Sequence, residues 1–132
     1  MQEIRTEHLT VGYEKKPLIG DVNLSVRPGE ILTLIGPNGS GKSTILKTIT
    51  KQLKKLDGTV FLGENSMDEL KDSQISKRLS MVMTERLRTE LMSGREVVAS
   101  GRYPYTGRFG ILSKEDWVKV DEAIALVHAK EV

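Results

Sequence analysis

The chain has 132 residues, enough for one domain of ordinary size. Hydrophobic residues make up 38% and charged residues 29%, a composition typical of globular proteins and unlike that of disordered, collagen-like or coiled-coil chains. Lysine and arginine number 20 against 18 acidic residues, and this net charge of +2 gives no argument for nucleic acid or an anionic membrane as a partner. The sequence contains no cysteine, which excludes disulfides, thiolate metal sites and a cysteine nucleophile.

The chain carries no sign of membrane insertion or export. Apolar runs such as 31–35 and 124–127 are much shorter than the roughly 20 residues that span a bilayer. Charges near the N-terminus stand where a signal peptide needs an apolar segment. We therefore expect neither a transmembrane helix nor secretion by that route, and no shift in composition marks an internal domain boundary.

The first half of the chain predicts strands followed by a helix. Alternating apolar residues predict strands over 4–11 and 18–26, each with one buried face. The run 31–35 is apolar almost throughout, which predicts a central parallel strand buried on both faces. From Ser43 to Leu56 apolar residues recur at helical spacing, which predicts a helix. Lysines are expected on its solvated face, among them Lys51, Lys54 and Lys55.

The second half predicts shorter elements. A turn at Asp57-Gly58 leads into a strand over 59–62, and a polar, helical stretch precedes another strand over 80–83. A short helix over 95–100 is expected to end at Gly101. Ser113 and Asp116 form a capping pair for a last helix, in which Trp117, Val120, Ile124 and Val127 share one face.

A phosphate-binding motif lies between the apolar run and the helix. Residues 36–43 read Gly-Pro-Asn-Gly-Ser-Gly-Lys-Ser and match G-x-x-x-x-G-K-[ST]. In such a loop the glycines let backbone N–H groups converge on phosphate oxygens, Lys42 reaches the β- and γ-phosphates, and Ser43 offers its hydroxyl to Mg²⁺. A glycine-rich turn without function is the alternative, but a chance match in a chain of this size is on the order of one in a few hundred. We predict triphosphate binding by Gly36, Pro37, Asn38, Gly39, Ser40, Gly41, Lys42, Ser43 and Thr44.

These residues carry a resemblance to a known family. The loop over 36–44 resembles the Walker A sequence of ABC-type ATPases, and residues 21–31 resemble that family's approach to the loop. Val11-Gly12-Tyr13 resembles the family's A-loop, in which an aromatic ring stacks on adenine. Alternatively, Tyr13 is only an aromatic residue at the end of an edge strand. The resemblance implies ATP and Mg²⁺ as ligands and Lys42 as the catalytic residue.

A second stretch resembles one subgroup of that family. Residues 95–107 read Arg-Glu-Val-Val-Ala-Ser-Gly-Arg-Tyr-Pro-Tyr-Thr-Gly and are similar to importers of iron-siderophore complexes, haem and cobalamin. In that subgroup the region belongs to a helical subdomain that meets the membrane permease. The interleaved arginines and aromatics of 101–110 also fit a nucleic-acid contact or an ordinary exposed loop.

The resemblance covers nearly all of the chain but only the first half of a family member. The signature segment, the Walker B aspartate, the catalytic glutamate and the switch histidine do not occur in the sequence, and His8 and His128 do not fit the switch position. The resemblance implies an α/β P-loop NTPase fold with an antiparallel β subdomain and a central, mainly parallel sheet, cut short at its C-terminal end. We expect a strand-rich part with the Walker A loop in 1–83, a Q-loop region in 84–93, and the start of the helical subdomain in 94–132.

The Q-loop position departs from the family. Where relatives carry glutamine this chain has Thr84, followed by Glu85. Either oxygen-bearing side chain is a candidate Mg²⁺ ligand, and the alternative is that both are simple loop residues.

The resemblance implies the ATPase subunit of an importer, peripheral on the cytoplasmic face of the cell membrane. Its implied partners are permease subunits, a second nucleotide-binding domain in a homodimer and, indirectly, a substrate-binding protein, with no nucleic acid. This chain alone is expected to bind ATP without efficient hydrolysis. Two other hypotheses stay open, a soluble ABC-like ATPase acting on DNA and a non-catalytic nucleotide-binding fragment.

Overall fold

The computed structural model describes residues 2–83, 92–107 and 109–127. The chain divides into two compact units, Met1–Met81 and Val82–Val132. Within the described ranges, no helix has both the length and the apolar character needed to cross a bilayer.

The first unit contains an antiparallel sheet of four strands in the order β2-β1-β3-β4. Its strands are β1 (Ile4–Tyr13), β2 (Lys16–Val26), β3 (Asp57–Leu62) and β4 (Asn65–Ser66). Both strands predicted in the first 26 residues are confirmed. Each is longer than the sequence pattern indicated.

The hairpin between β1 and β2 turns on Glu14 and Lys15. Their φ angles are +48° and +65°, the left-handed values that a tight turn of type I′ requires. Asn-Gly is the usual sequence signal for this turn, and its absence here hides the hairpin from a reading of the sequence. The turn pairs Tyr13 with Lys16 and so fixes Tyr13 at the end of β1.

One helix, α1 (Lys42–Ile49), packs its apolar face on this sheet. The helix and the strands enclose one core, whose fully or nearly buried members are Leu9, Val11, Ile45, Ile49, Val60, Leu62, Met67 and Ile75. Thr44 and Thr48 are also buried on α1, and the Thr48 hydroxyl donates to the Thr44 carbonyl oxygen at 2.8 Å. The phosphate loop is therefore anchored to a packed core through the first turn of its helix.

The helix ends earlier than predicted. Thr50 is its C-cap, and Lys51 takes a left-handed φ of +59° that turns the chain away. Leu53 and Leu56, expected on the helix, lie in the segment beyond it. The prediction of a helix to Leu56 was therefore wrong, because apolar spacing cannot detect a left-handed residue that interrupts the helix.

Two predicted strands are not formed in the described residues. Residues 31–35 and 80–83 carry no strand, and Ile31, Ile35 and Val82 are 94%, 91% and 97% exposed. A strand of a parallel sheet needs a partner for its backbone N–H and C=O groups. In the described residues neither segment has such a ladder partner, and no parallel pair of strands is formed.

The turn predicted at Asp57-Gly58 is instead the beginning of β3. Gly58 has a φ of +80° at an irregularity between β1 and β3, and an added Cβ would lie 2.3 Å from the His8 carbonyl oxygen. Glycine is required here by close backbone approach. A four-residue helix, α2 (Asp72–Ile75), is the helical part of the polar stretch that follows.

The second unit contains α3 (Gly94–Ser100), a 3₁₀ turn (Tyr103–Tyr105) and α4 (Lys114–Leu126). Both helices begin with capping boxes, Ser93 with Glu96 and Ser113 with Asp116. The predicted helix ending at Gly101 and the predicted capping pair are confirmed. Val127 follows the last helical residue, and His128 lies outside the described residues.

Candidate functional site

The phosphate loop is a turn that runs directly into α1. Gly39 and Gly41 have φ angles of +81° and +91°, values that side-chain-bearing residues rarely adopt. The Ser40 amide donates to the Pro37 carbonyl oxygen at 3.2 Å, and Gly41 is the N-cap of the helix. Two of the glycines predicted to give the loop backbone freedom, Gly39 and Gly41, therefore adopt left-handed conformations that other residues avoid.

The Lys42 ammonium is held inside the loop. It donates to the carbonyl oxygens of Gly36 at 2.7 Å and Pro37 at 2.6 Å, and it lies 3.4 Å from Ser40 Oγ. The loop thus folds around a positive charge that is fixed by carbonyl oxygens and not neutralised by a carboxylate in these contacts.

The start of α1 carries no internal acceptor for its free N–H groups. No side chain caps this end and its first turn contains no acidic residue, whereas α3 and α4 have both. The unsatisfied N–H groups and the positive end of the helix dipole favour an anion. Together with the Lys42 ammonium they make this helix end suitable for phosphate.

A cavity of about 350 Å³ opens at the loop. Its lining includes the predicted residues Tyr13, Asn38, Gly39, Gly41, Lys42, Ser43 and Thr44. The Tyr13 hydroxyl lies 3.4 Å from Thr44 Oγ1, which joins the end of β1 to the first turn of α1. The Tyr13 side chain is half exposed, so its ring can be reached by a ligand in the cavity.

Two residues of β2 that the sequence reasoning missed complete the site. Leu18 lines the cavity beside Tyr13. Ile19 packs directly against Gly41 of the loop, since a Cβ added to Gly41 would lie 2.5 Å from Ile19 Cδ1. Their apolar character in an alternating strand signals core packing, and only the fold shows that this packing is against the loop.

The loop fits a triphosphate with Mg²⁺ by the chemistry of its donors. A Cβ on Gly36 would lie 2.9 Å from Ser40 Oγ, so a larger residue there would displace the Ser40 hydroxyl inside the loop. Ser43 is exposed at the second helical position and offers a hard hydroxyl oxygen of the kind that Mg²⁺ accepts. Thr84 and Glu85, the other metal candidates, lie outside the described residues. In the part of the chain that is described, no three His, Asp or Glu side chains cluster as metal ligands.

Comparison with protein-family models matches residues 19–132 to the ABC transporter model. The chain belongs to the ABC transporter family. The match includes the whole phosphate loop and both helices of the second unit. The resemblance inferred from residues 36–44 is therefore confirmed.

Curated relatives of the chain are ATP-binding proteins of transport systems. An uncharacterised ABC transporter ATP-binding protein of Methanocaldococcus jannaschii is 42% identical over 96% of this chain and 44% of its own length. The iron(3+)-hydroxamate import ATP-binding protein of Bacillus subtilis is 35% identical over 88% of this chain and 43% of its own. The ferric enterobactin transport ATP-binding protein of Escherichia coli is 30% identical over 92% and 45%. The chain spans about half the length of the curated relatives it matches.

Solved structures support the fold. A nucleotide-free ATP-binding cassette from an ABC transporter matches with a TM-score of 0.75 at 23% identity, over 97% of this chain and 55% of that one. An ABC transporter ATP-binding protein from Pyrococcus furiosus matches with a TM-score of 0.69 at 22% identity, over 98% and 57%. The predicted fold class, an ABC-type nucleotide-binding domain with an antiparallel β subdomain, is confirmed.

Proposed function

We propose that this chain is the nucleotide-binding part of the ATP-binding subunit of an ABC importer. The observation that carries the proposal is the joint geometry of the loop, with Lys42 held by two carbonyl oxygens at the uncapped start of α1. A fixed ammonium and free helical N–H groups are complementary to the β- and γ-phosphates of a nucleotide.

We propose an iron-siderophore, haem or cobalamin-type compound as the transported substrate. The support comes from two relatives, an iron(3+)-hydroxamate import protein and a ferric enterobactin transport protein. The Arg-Tyr-Pro stretch of residues 102–104 points in the same direction by its resemblance to that subgroup.

In the proposed site each residue has a separate role. Lys42 offsets charge on the transferred phosphoryl group and is the proposed catalytic residue. The backbone of residues 36–41 holds the phosphates, with Thr44 next to them on α1, and the ring of Tyr13 faces the base with Leu18 as an apolar wall. Ser43 is the proposed Mg²⁺ ligand, and bound Mg²⁺ supplies further neutralisation of phosphate charge. Thr84 and Glu85 stay candidates for a second ligand.

Hydrolysis is proposed for the intact protein, with water attacking the γ-phosphorus in line. Lys42 and Ser43 supply only part of the machinery that this reaction needs. The signature segment and the Walker B aspartate do not occur among these 132 residues. We propose that this part of the protein binds ATP, with permease subunits, a second nucleotide-binding domain and, indirectly, a substrate-binding protein as partners at the cytoplasmic face of the cell membrane.

We also propose a division of the chain into three parts, in keeping with its resemblance to the family. Residues 1–83 would form the nucleotide-binding part, 84–93 a Q-loop region, and 94–132 the beginning of the helical subdomain. Support comes from the phosphate loop in the first of these ranges and from α3 and α4 in the last.

Calorimetric titration with a non-hydrolysable ATP analogue and Mg²⁺ tests the proposal. Lys42→Ala removes charge-assisted contacts to phosphate and is expected to weaken binding at least about tenfold. Lys114→Ala, an exposed lysine in the second unit, is the matched control and should bind like the parent. An affinity for the analogue that is equal in both variants would contradict the proposed role of Lys42.

A further inference from the structure

A second cavity lies at the other end of α1. It has a volume of about 440 Å³ and is bounded by Thr48, Lys51, residues 53–58, Val60, Met67 and Asp68, a set here termed the α1–β3 pocket. It shares no lining residue with the cavity at the phosphate loop. On α1, Thr44 lines the cavity at the phosphate loop and Thr48 lines the second cavity, so the two linings are four residues, or about 6 Å, apart along the helix axis.

The floor of the α1–β3 pocket is apolar and buried. Val60 and Met67 are 5% and 2% exposed and belong to the core of the first unit. Leu53 and Leu56, half-buried in the segment after α1, add apolar surface at the sides. A pocket of this size with a fixed apolar floor is of the kind that holds small molecules.

Lysines form the rim, and two of them are held by hydrogen bonds. Lys55 Nζ donates to the Gly58 carbonyl oxygen and pairs with Asp68 Oδ2 at 2.7 Å. Lys51 Nζ donates to the Met67 carbonyl oxygen at 3.2 Å. These contacts fix the positions of the Lys51 and Lys55 ammonium groups at the rim. They also overturn the prediction that Lys51, Lys54 and Lys55 form a solvated helix face, since all three lie beyond the end of α1.

Lys54 differs from its two neighbours. Among the described residues its ammonium has no hydrogen-bond or ion-pair partner, and its side chain is exposed at the mouth of the pocket. A ligand that rests an apolar body on Val60 and Met67 therefore meets an unpaired cation at the rim.

We propose that the α1–β3 pocket binds a small amphipathic anion, a flat apolar body that carries one carboxylate. The apolar floor contacts the body and the Lys54 ammonium pairs with the carboxylate. The site is distinct from the nucleotide cavity and does not depend on the function proposed for it.

Amide chemical shifts during titration of the labelled chain with naphthoate test this site. Excess tripolyphosphate is present throughout to occupy the phosphate loop. Saturable shifts are expected at the amides of Thr48, Gly58 and Val60. Naphthylmethanol, which has the same ring without the charge, is the second probe and is expected to bind more weakly at the same amides.

Three variants distinguish the contribution of the Lys54 charge to binding from that of the apolar surface of the pocket. Lys54→Ala should weaken naphthoate about fivefold and leave naphthylmethanol unchanged, because it removes only the cation. Leu53→Ala should weaken both probes, and Lys114→Ala should weaken neither. Shifts confined to residues 36–43, absence of saturation, or equal naphthoate affinity for Lys54→Ala and Lys114→Ala would each overturn the proposal.

Discussion

Ile19 of β2 lies directly against Gly41 of the phosphate loop. A Cβ added to Gly41 would lie 2.5 Å from Ile19 Cδ1 and 3.2 Å from Ile19 Cγ1. Gly41 also has a left-handed φ of +91° at the point where α1 begins. The backbone conformation therefore favours glycine at this position, and an added Cβ would also have to displace the Ile19 side chain.

Alanine substitution of Gly39 and Gly41 should separate the effect of the left-handed backbone from that of the contact with Ile19. Gly39 has a φ of +81° but open space around it, so Gly39→Ala costs only the left-handed strain of about 1–2 kcal/mol. Gly41→Ala carries the same strain and adds the clash with Ile19, so its loss of unfolding free energy should be larger. Urea denaturation of both variants measures the difference. Gly107→Ala, in open space without a positive φ, is the control and should be neutral. Equal destabilisation by the two loop variants would exclude a role for the Ile19 contact.

Tyr13→Ala should weaken ATP binding and leave tripolyphosphate binding nearly unchanged. The ring borders the cavity near the first turn of α1, whereas the proposed phosphate contacts are made by the backbone of the loop and by Lys42. Removal of an aromatic side chain that stacks on a base costs about 1–3 kcal/mol of binding free energy, or roughly 5- to 150-fold in affinity. Parallel titrations with ATP and tripolyphosphate measure the ratio. Equal losses for both ligands would contradict stacking and indicate that Tyr13 only supports Thr44.

Acid should destabilise the second unit through Asp116. The Ser113 backbone N–H donates to its Oδ2 at 2.9 Å and the Ser113 hydroxyl at 2.8 Å, and Arg102 Nε donates to its Oδ1 at 2.9 Å. These contacts lower the pKa of Asp116 below the ordinary value of 3.8. Because the pKa is lower in the folded state, the stabilisation is present above 3.8 and is lost as the pH falls through the folded value. Glu96, bonded to the backbone and hydroxyl of Ser93, has a lowered pKa and acts in the same direction.

Asp116→Asn is the variant that isolates this effect. It should lower stability at neutral pH and reduce the further loss in acid, because the amide cannot ionise. Fluorescence of Trp117, the single tryptophan of the chain and the neighbour of Asp116 on α4, reports the acid transition. Glu115→Gln changes an exposed carboxylate in the same turn and should leave the titration as in the parent. An acid transition that is identical in Asp116→Asn and the parent would exclude Asp116 as its origin.

Phosphate release from ATP by the isolated 132-residue chain should not exceed the background rate. Phosphoryl transfer needs a positioned water and a neutralised γ-phosphate, and Lys42 and Ser43 provide only part of both. A second polypeptide with the rest of a family member should restore turnover with the parent chain. It should fail to do so with Lys42→Ala. Release above background from the chain alone, lost in Lys42→Ala, would refute the prediction and direct attention to Glu64, Asp68 and Glu85 as catalytic carboxylates.

Features that depend only on neighbouring residues were predictable from the sequence. The phosphate loop is local, because residues 36–43 need only their own backbone freedom and the helix that follows. The capping boxes at Ser93 and Ser113 are equally local, since cap and partner are three residues apart. For these features the order of residue types fixes the hydrogen bonds, and the helix starts were predicted correctly, while phosphate binding by the loop stays a prediction.

Contacts between residues that are distant in the sequence became visible only in the folded chain. Tyr13 and Thr44 are 31 positions apart and meet because α1 packs against β1. No local pattern shows that contact, nor the packing of Ile19 against Gly41. The apolar run 31–35 shows that composition alone does not produce a strand. Its composition predicts a strand, but a strand forms only where another chain segment accepts its backbone hydrogen bonds. The described residues supply no such partner.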